Sequence, residues 1–126
     1  MNKLILIWHN EGSNTNVIGE LIKEQDYYTF KYTNFELNDL QLFSEKGLFP
    51  GFFDINTFYK SKFLFQNIKD RLPQENRVDY YNLLEQYNIK NPKDEFEVLT
   101  KTEGKINSDN FKFVTQEKLF ELQKNQ

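Results

Sequence analysis

The stretch VIGELIKEQDYYTFKY, Val17 to Tyr32, decides the fold class. Val17-Ile18-Gly19-Glu20-Leu21-Ile22 is β-rich, Glu24-Gln25-Asp26 is a polar break, and beyond it Tyr28, Phe30 and Tyr32 alternate with polar residues. Period-two alternation places one set of side chains on one face of a strand, so two strands joined by a turn are expected here. Working towards the N-terminus, Lys3 to Trp8 is a third β-rich run, separated by the turn formers His9-Asn10-Glu11-Gly12-Ser13-Asn14. A three-stranded antiparallel meander follows. Gly19 weakens a strand without packing anything, which points to a bulge or to close approach of another backbone.

Towards the C-terminus the period changes. Asn38 or Asp39 can cap a short helix through Phe43 that stops at Gly47, and Leu48-Phe49-Pro50-Gly51-Phe52-Phe53 is a turn crowded with rings. Asp54 and Ser61 are candidate N-caps. Phe58, Phe63, Leu64, Phe65, Ile68 and Leu72 recur at roughly helical spacing up to Pro73, and Asn76–Tyr87 forms a second helix with a stripe of Tyr80, Leu83 or Leu84, and Tyr87. Asp94 and Glu97 resemble a capping box for a helix that ends near Gly104 and turns Phe96 and Leu99 inward. Asn107-Ser108-Asp109 reads as a turn, and Phe111 and Phe113 mark a late strand. Thr115-Gln116-Glu117 can cap a last helix bearing Leu119, Phe120 and Leu122. Strands first and helices afterwards define an α+β fold: an N-terminal antiparallel β-meander followed by three to four short helices and a late strand. No linker or repeat divides residues 1–126, which read as a single domain.

The 126 residues fit one unit at roughly 100–200 residues per domain. Nineteen acidic against sixteen basic residues leave a net charge of −3, so the molecule lacks the basic field that attracts phosphate backbones and direct nucleic-acid binding is disfavoured. Aromatic residues make up 17% of a chain that is only 38% hydrophobic, so few, large side chains must build the core. With no Cys and a single His9, thiolate metal sites, cysteine nucleophiles and His-rich centres are excluded, and a reducing, cytoplasmic setting is expected. Leu4 to Trp8 is too short an apolar run for a signal peptide or a membrane span.

Chemistry-bearing patterns are sparse. The five glycines are isolated, with no phosphate-cradling loop among them. The capping box accounts for the carboxylates around Asp94, and Asn107-Ser108-Asp109 lacks the spacing of a calcium loop. No catalytic residue, metal or cofactor is therefore expected. Arg71 and Arg77 stand out as the only arginines, because a guanidinium makes planar, bidentate contacts that the abundant lysines cannot. Each either locks the inter-helix turn by pairing with Asp70, Asp79 or a helix C-terminus, or meets an anionic partner, with Lys60, Lys62 and Lys69 adding positive charge nearby. The rings of Phe49, Phe52 and Phe53 likewise either pack into the core or form a contact patch.

In order along the chain, an initial hydrophobic strand, Val17-Ile18-Gly19-Glu20-Leu21, Tyr28-Thr29-Phe30-Lys31-Tyr32, Leu48-Phe49-Pro50-Gly51-Phe52, Ser61 to Phe65 and Arg71-Leu72-Pro73 form one series. Arg77-Val78-Asp79-Tyr80, Phe96-Glu97-Val98-Leu99, Thr102-Glu103-Gly104 and Asp109-Asn110-Phe111 continue it. Together, over residues 3–114, they resemble subdomain 1 of the N-terminal region of HipA-family toxin kinases, including HipA-like N-terminal regions linked to HIRAN-domain proteins. The resemblance implies a regulatory and docking module rather than a kinase, since the family's ATP loop, catalytic Asp and metal ligands are absent. In split three-component systems, a similar small protein acts on a separate kinase as antitoxin. The expected function is thus a non-enzymatic interaction module that binds a HipA-like Ser/Thr kinase, with Phe49, Phe52, Phe53, Lys60, Lys62, Arg71 and Arg77 as candidate contacts. The alternative is a nucleic-acid-associated accessory protein working with a HIRAN-type or helicase partner, in which rings stack on bases and the basic residues meet phosphates.

Overall fold

The computed structural model describes residues 2–9, 15–33 and 48–124. Strands β1 (Asn2–Trp8), β2 (Asn16–Lys23) and β3 (Tyr28–Tyr32) form the expected antiparallel meander. Two further strands extend it at both sides: β4 (Tyr59–Ser61) pairs with β3, and β5 (Phe111–Val114) pairs with β1, giving the order β4-β3-β2-β1-β5. The first strand is thereby central. That placement accounts for its composition, because Leu4, Ile5, Leu6 and Ile7 are all buried and a strand covered on both faces needs apolar residues at both parities.

The two faces are covered differently. On the first, Leu4 lies opposite Leu21, which lies opposite Phe30, which lies opposite Tyr59. Tyr32, Phe111 and Phe113 join this face, and Phe49, Phe52, Ile68, Val98 and Leu99 pack over it as the main core. On the second face Ile5, Ile7 and Val114 are covered by helix α4 (Gln116–Lys124) through Leu119 and Leu122. Beyond that helix the second face is polar: Glu20 accepts ion-pair contacts at 3.4 Å from both Lys3 and Lys31.

Both readings of Gly19 hold together. The register shifts between Leu6, opposite Gly19, and Ile7, opposite Val17, so Ile18 is the extra residue of a bulge and turns into the main core. A Cβ on Gly19 would stand 2.6 Å from the Lys31 carbonyl oxygen and 2.8 Å from the Phe30 ring.

The helices are shorter than the apolar spacing suggests. Residues 59–61 are strand β4, and only Gln66–Lys69 is helical (α1). Asp54 and Ser61 therefore close turns and cap no helix: Asp54 Oδ1 accepts from Asn56 N at 2.9 Å, and Ser61 Oγ accepts from Phe63 N at 3.2 Å. Pairing with β3 overrides the helical pattern here. Helix α2 spans Tyr80–Gln86, and its start is delayed by the successive turns Arg77 N to Gln74 O and Tyr80 N to Arg77 O, each 3.1 Å. Helix α3 spans Glu95–Thr102 and is capped by Asp94, whose carboxylate accepts from Phe96 N and Glu97 N. The box is not reciprocal. The Glu97 carboxylate accepts instead from Lys90 N at 2.9 Å and Asn91 N at 2.8 Å, which ties the preceding loop to the helix. Thr115 caps α4 through Lys118 N, and Phe120 on that helix faces solvent while Leu119 is buried. The helix expected near Phe43 lies outside the described residues. No described helix is long and apolar enough to cross a membrane.

Gly19→Val tests the bulge. The contact with the Lys31 backbone leaves little room for relief, so urea unfolding is expected to show a loss of about 2–3 kcal/mol.

Candidate functional site

Among the described residues, polar or aromatic side chains concentrate at the turn around Arg71 and the groove beside it, in the rings of residues 49–63, and in the cleft on the open half of the second sheet face.

Arg71 follows α1 and is only 7% exposed. Its Nη1 and Nη2 donate to the two carboxylate oxygens of Asp109 at 2.8 and 2.7 Å, Nε donates to the Gly104 carbonyl at 2.7 Å, and Nη2 also reaches the Phe111 carbonyl at 3.1 Å. The guanidinium also lies 5.0 Å from the centre of the Phe49 ring. Asp109 in turn accepts from Phe111 N at 3.1 Å, and Phe113 N donates to the Glu103 carbonyl at 2.8 Å. The outward backbone of strand β5 is thereby engaged by Asp109, Arg71 and Glu103, which closes a sheet edge that would otherwise invite another chain. Of the readings open for Arg71, a helix C-terminus is among its partners, since Gly104 follows α3. Its carboxylate partner is Asp109 rather than Asp70 or Asp79. The buried fork is scaffold, which removes Arg71 from the contact residues. Arg77 differs: it is exposed, and its Nε donates to Asp79 Oδ1 at 2.5 Å.

The aromatic turn divides in the same way. Phe49 is fully buried, with Phe111 and Phe113 edge-on at 5.4 Å each. Phe52 stacks on Phe30 at 4.3 Å and meets Phe65 and Tyr59. The Tyr32 hydroxyl accepts from Phe49 N at 3.1 Å and donates to the Phe52 carbonyl. Burial pushes the titration of that hydroxyl well above its ordinary range, which keeps it a neutral donor and acceptor. Phe49 and Phe52 are therefore core residues and not contacts. Phe53 is 74% exposed, and two rings that the helical pattern placed in a core, Phe58 at 61% and Phe63 at 73%, also face solvent. Between them Asp54 anchors the turn, its carboxyl held below the usual range by the Asn56 N–H and the Thr57 hydroxyl.

Lys60 stands on β4 with its ammonium 4.1 Å from the centre of the Tyr27 ring, and Lys62 is exposed on the next turn. Together with Glu20, Lys31 and Phe58, Tyr27 and Lys60 line a cleft of about 270 Å³ over the open half of the second face. A larger groove of about 720 Å³ runs beside β5, between residues 70–77 and 105–112. It brings Arg77 together with Lys105 and Lys112, two lysines that no sequence motif singles out. Near the end of β1, His9 Nδ1 lies 2.9 Å from Thr15 Oγ1, a pairing within the scaffold. Among the described residues no group of three His, Asp or Glu side chains is placed to hold a metal ion.

No family model matches the chain, and neither a curated protein nor a solved structure matches it.

The two arginines are expected to separate on conservative substitution. Arg71→Lys keeps charge but loses the fork and leaves Asp109 under-satisfied, so calorimetric melting is expected to show a loss of about 2–4 kcal/mol, a fall on the order of 10 °C. Arg77→Lys breaks an exposed pair and is expected to cost less than about 1 kcal/mol.

Proposed function

We propose that this chain is a non-enzymatic, cytoplasmic interaction module that binds a HipA-like Ser/Thr kinase, as antitoxin or accessory component of a toxin–antitoxin pair. The observation that carries the interaction reading is the exposure of Phe53, Phe58 and Phe63 within one short stretch. Each ring withdrawn from water by a partner contributes roughly 1.5–3 kcal/mol, and aromatic anchors of this kind dominate protein interfaces. Further support comes from where the clustered carboxylates go. Asp94 and Glu97 accept backbone N–H groups, and Asp109 accepts Arg71, so each serves the scaffold. The kinase as partner rests on the ordered resemblance of residues 3–114 to the HipA N-terminal subdomain. Phe53, Phe58 and Phe63 with Lys60 and Lys62 are the contact residues in this reading.

One feature favours a second reading. Phe58 and Phe63 flank Lys60 and Lys62, a mixture of rings and cations such as single-strand-binding platforms use, which fits an accessory protein of a HIRAN-type or helicase partner. The net charge of −3 makes it the lesser reading.

Titration calorimetry against a HipA-type kinase from the same genome separates the two. Wild type is expected to bind, and the triple variant Phe53→Ser, Phe58→Ser, Phe63→Ser to weaken binding about a hundredfold or more with little change in melting temperature. A kinase that does not bind, or that binds the triple variant equally well, contradicts the proposal, and capture of a single-stranded oligonucleotide by the same surface favours the second reading.

A further inference from the structure

We infer that the groove beside β5 binds an acidic, partly apolar peptide segment of a protein partner. This rests on the reading of the chain as a protein-interaction module, but not on the kinase as partner nor on the exposed phenylalanines. Four cations and two carboxylates line the groove, and two more carboxylates, Asp79 and Glu103, stand beside it against Arg77 and Lys105. Both lining carboxylates are already engaged: Asp109 by Arg71, and Asp70 Oδ1 by Gln66 Nε2 at 2.7 Å. Of the cations, Arg71 is saturated by its own scaffold, which leaves Arg77 and Lys105 to face a ligand, with Lys112 at the groove's edge on the face of β5 that it shares with Val114. Arg77 is paired with Asp79 where both side chains are about half exposed, so a ligand carboxylate can replace Asp79 at little cost. Lys105 sits 3.9 Å from Glu103, the outer limit of an ion pair, and Lys112 has no ion-pair partner among the described residues.

The apolar part of the site sets the ligand class. Leu72, Leu83 and Ile106 line the groove, Ile106 is partly exposed at its rim, and Val78, next along the chain to Arg77, is fully exposed. Apolar rims beside separated cations fit a peptide in which acidic and apolar side chains alternate. A nucleic-acid strand would need exposed ring faces on which bases stack, and the rings that line the groove, Tyr87 and Phe111, are half-buried and buried. The groove lies between the exposed segments 74–77 and 105–108, unlike the enclosed pockets that take small molecules. An extended segment can therefore enter without opening the fold.

The probe is a fluorescein-labelled peptide of about ten residues alternating Glu and Leu, followed by anisotropy, with a Lys/Leu peptide and an oligothymidylate of similar length as comparisons. Saturable binding of the Glu/Leu peptide that weakens with added salt is expected, reduced about tenfold in Lys105→Glu/Lys112→Glu and less in Arg77→Glu. Melting of each variant establishes that it is folded, and the single Arg77→Glu change carries the test if the double variant is not. No saturable binding, equal binding of the Lys/Leu peptide, or undiminished binding by the folded charge variants overturns the assignment. So does tighter binding of the oligothymidylate, which would make the ligand a nucleic acid. Peptide binding abolished by the Phe53/Phe58/Phe63 changes but not by the charge changes would move the ligand to the aromatic stretch, and also overturns it. Failure of kinase binding, by contrast, leaves the peptide titration unaffected.

Discussion

A single buried guanidinium holds the late part of the chain to the early part. Arg71 connects the end of α1 to the end of α3 through Gly104 and to the entry of β5 through Asp109 and Phe111. Everything after residue 109 depends on where β5 sits. Once it pairs with β1, the first strand becomes central, and Thr115 starts α4 directly over Ile5 and Ile7. Such a fork is conditional: a buried pair contributes modestly as a whole, yet removing one member leaves an uncompensated charge and costs several kcal/mol, on the order of 3–5. The Phe49 ring beneath the guanidinium links the same clamp to the aromatic core.

That core follows from composition. Few apolar residues are available, so Phe30, Tyr32, Phe49, Phe52, Phe111 and Phe113 fill the space over one sheet face through edge-on and stacked contacts. Tyr32 adds direction to this packing, because its hydroxyl receives one backbone group and supplies another across the 49–52 turn. The consequence for function is a division within one short stretch. Rings on the inner side of the turn are scaffold, and those that the core does not take, Phe53, Phe58 and Phe63, remain available to a partner.

The meander was readable from residues 17–32 because a half-buried strand writes its burial directly as alternation. Even the bulge was marked, by a glycine with no other reason to stand in a strand. Strand β4 was not readable. It is three residues long, and Phe58 to Leu72 matches a helical stripe until pairing with β3 claims Tyr59–Ser61 and turns Phe58 and Phe63 outward. Scarcity identified Arg71 as a residue whose planar fork matters, but its carboxylate is far along the chain at Asp109, and no local spacing reports a contact of that range. The turn 49–53 shows the same limit: its rings look alike in sequence, and only contacts with distant residues, the Tyr32 hydroxyl and the rings of Phe30, Phe111 and Phe113, separate Phe49 and Phe52 from Phe53. Lys105 and Lys112 carry no motif and acquire meaning only when the fold places Arg77 across the groove from them.

Residue-resolved amide hydrogen exchange in wild type and Arg71→Lys tests the clamp most directly. In wild type the Phe111 and Phe113 amides, bonded to Asp109 and to the Glu103 carbonyl, are expected to exchange as slowly as those of Leu4 and Leu21 in the sheet centre. In the variant, those two amides should accelerate at least about tenfold beyond the change seen at Leu4 and Leu21, because β5 opens locally before the sheet unfolds. Equal acceleration across all five strands, or unchanged protection of Phe111 and Phe113, would contradict the assignment of Arg71 as the bond that closes the edge.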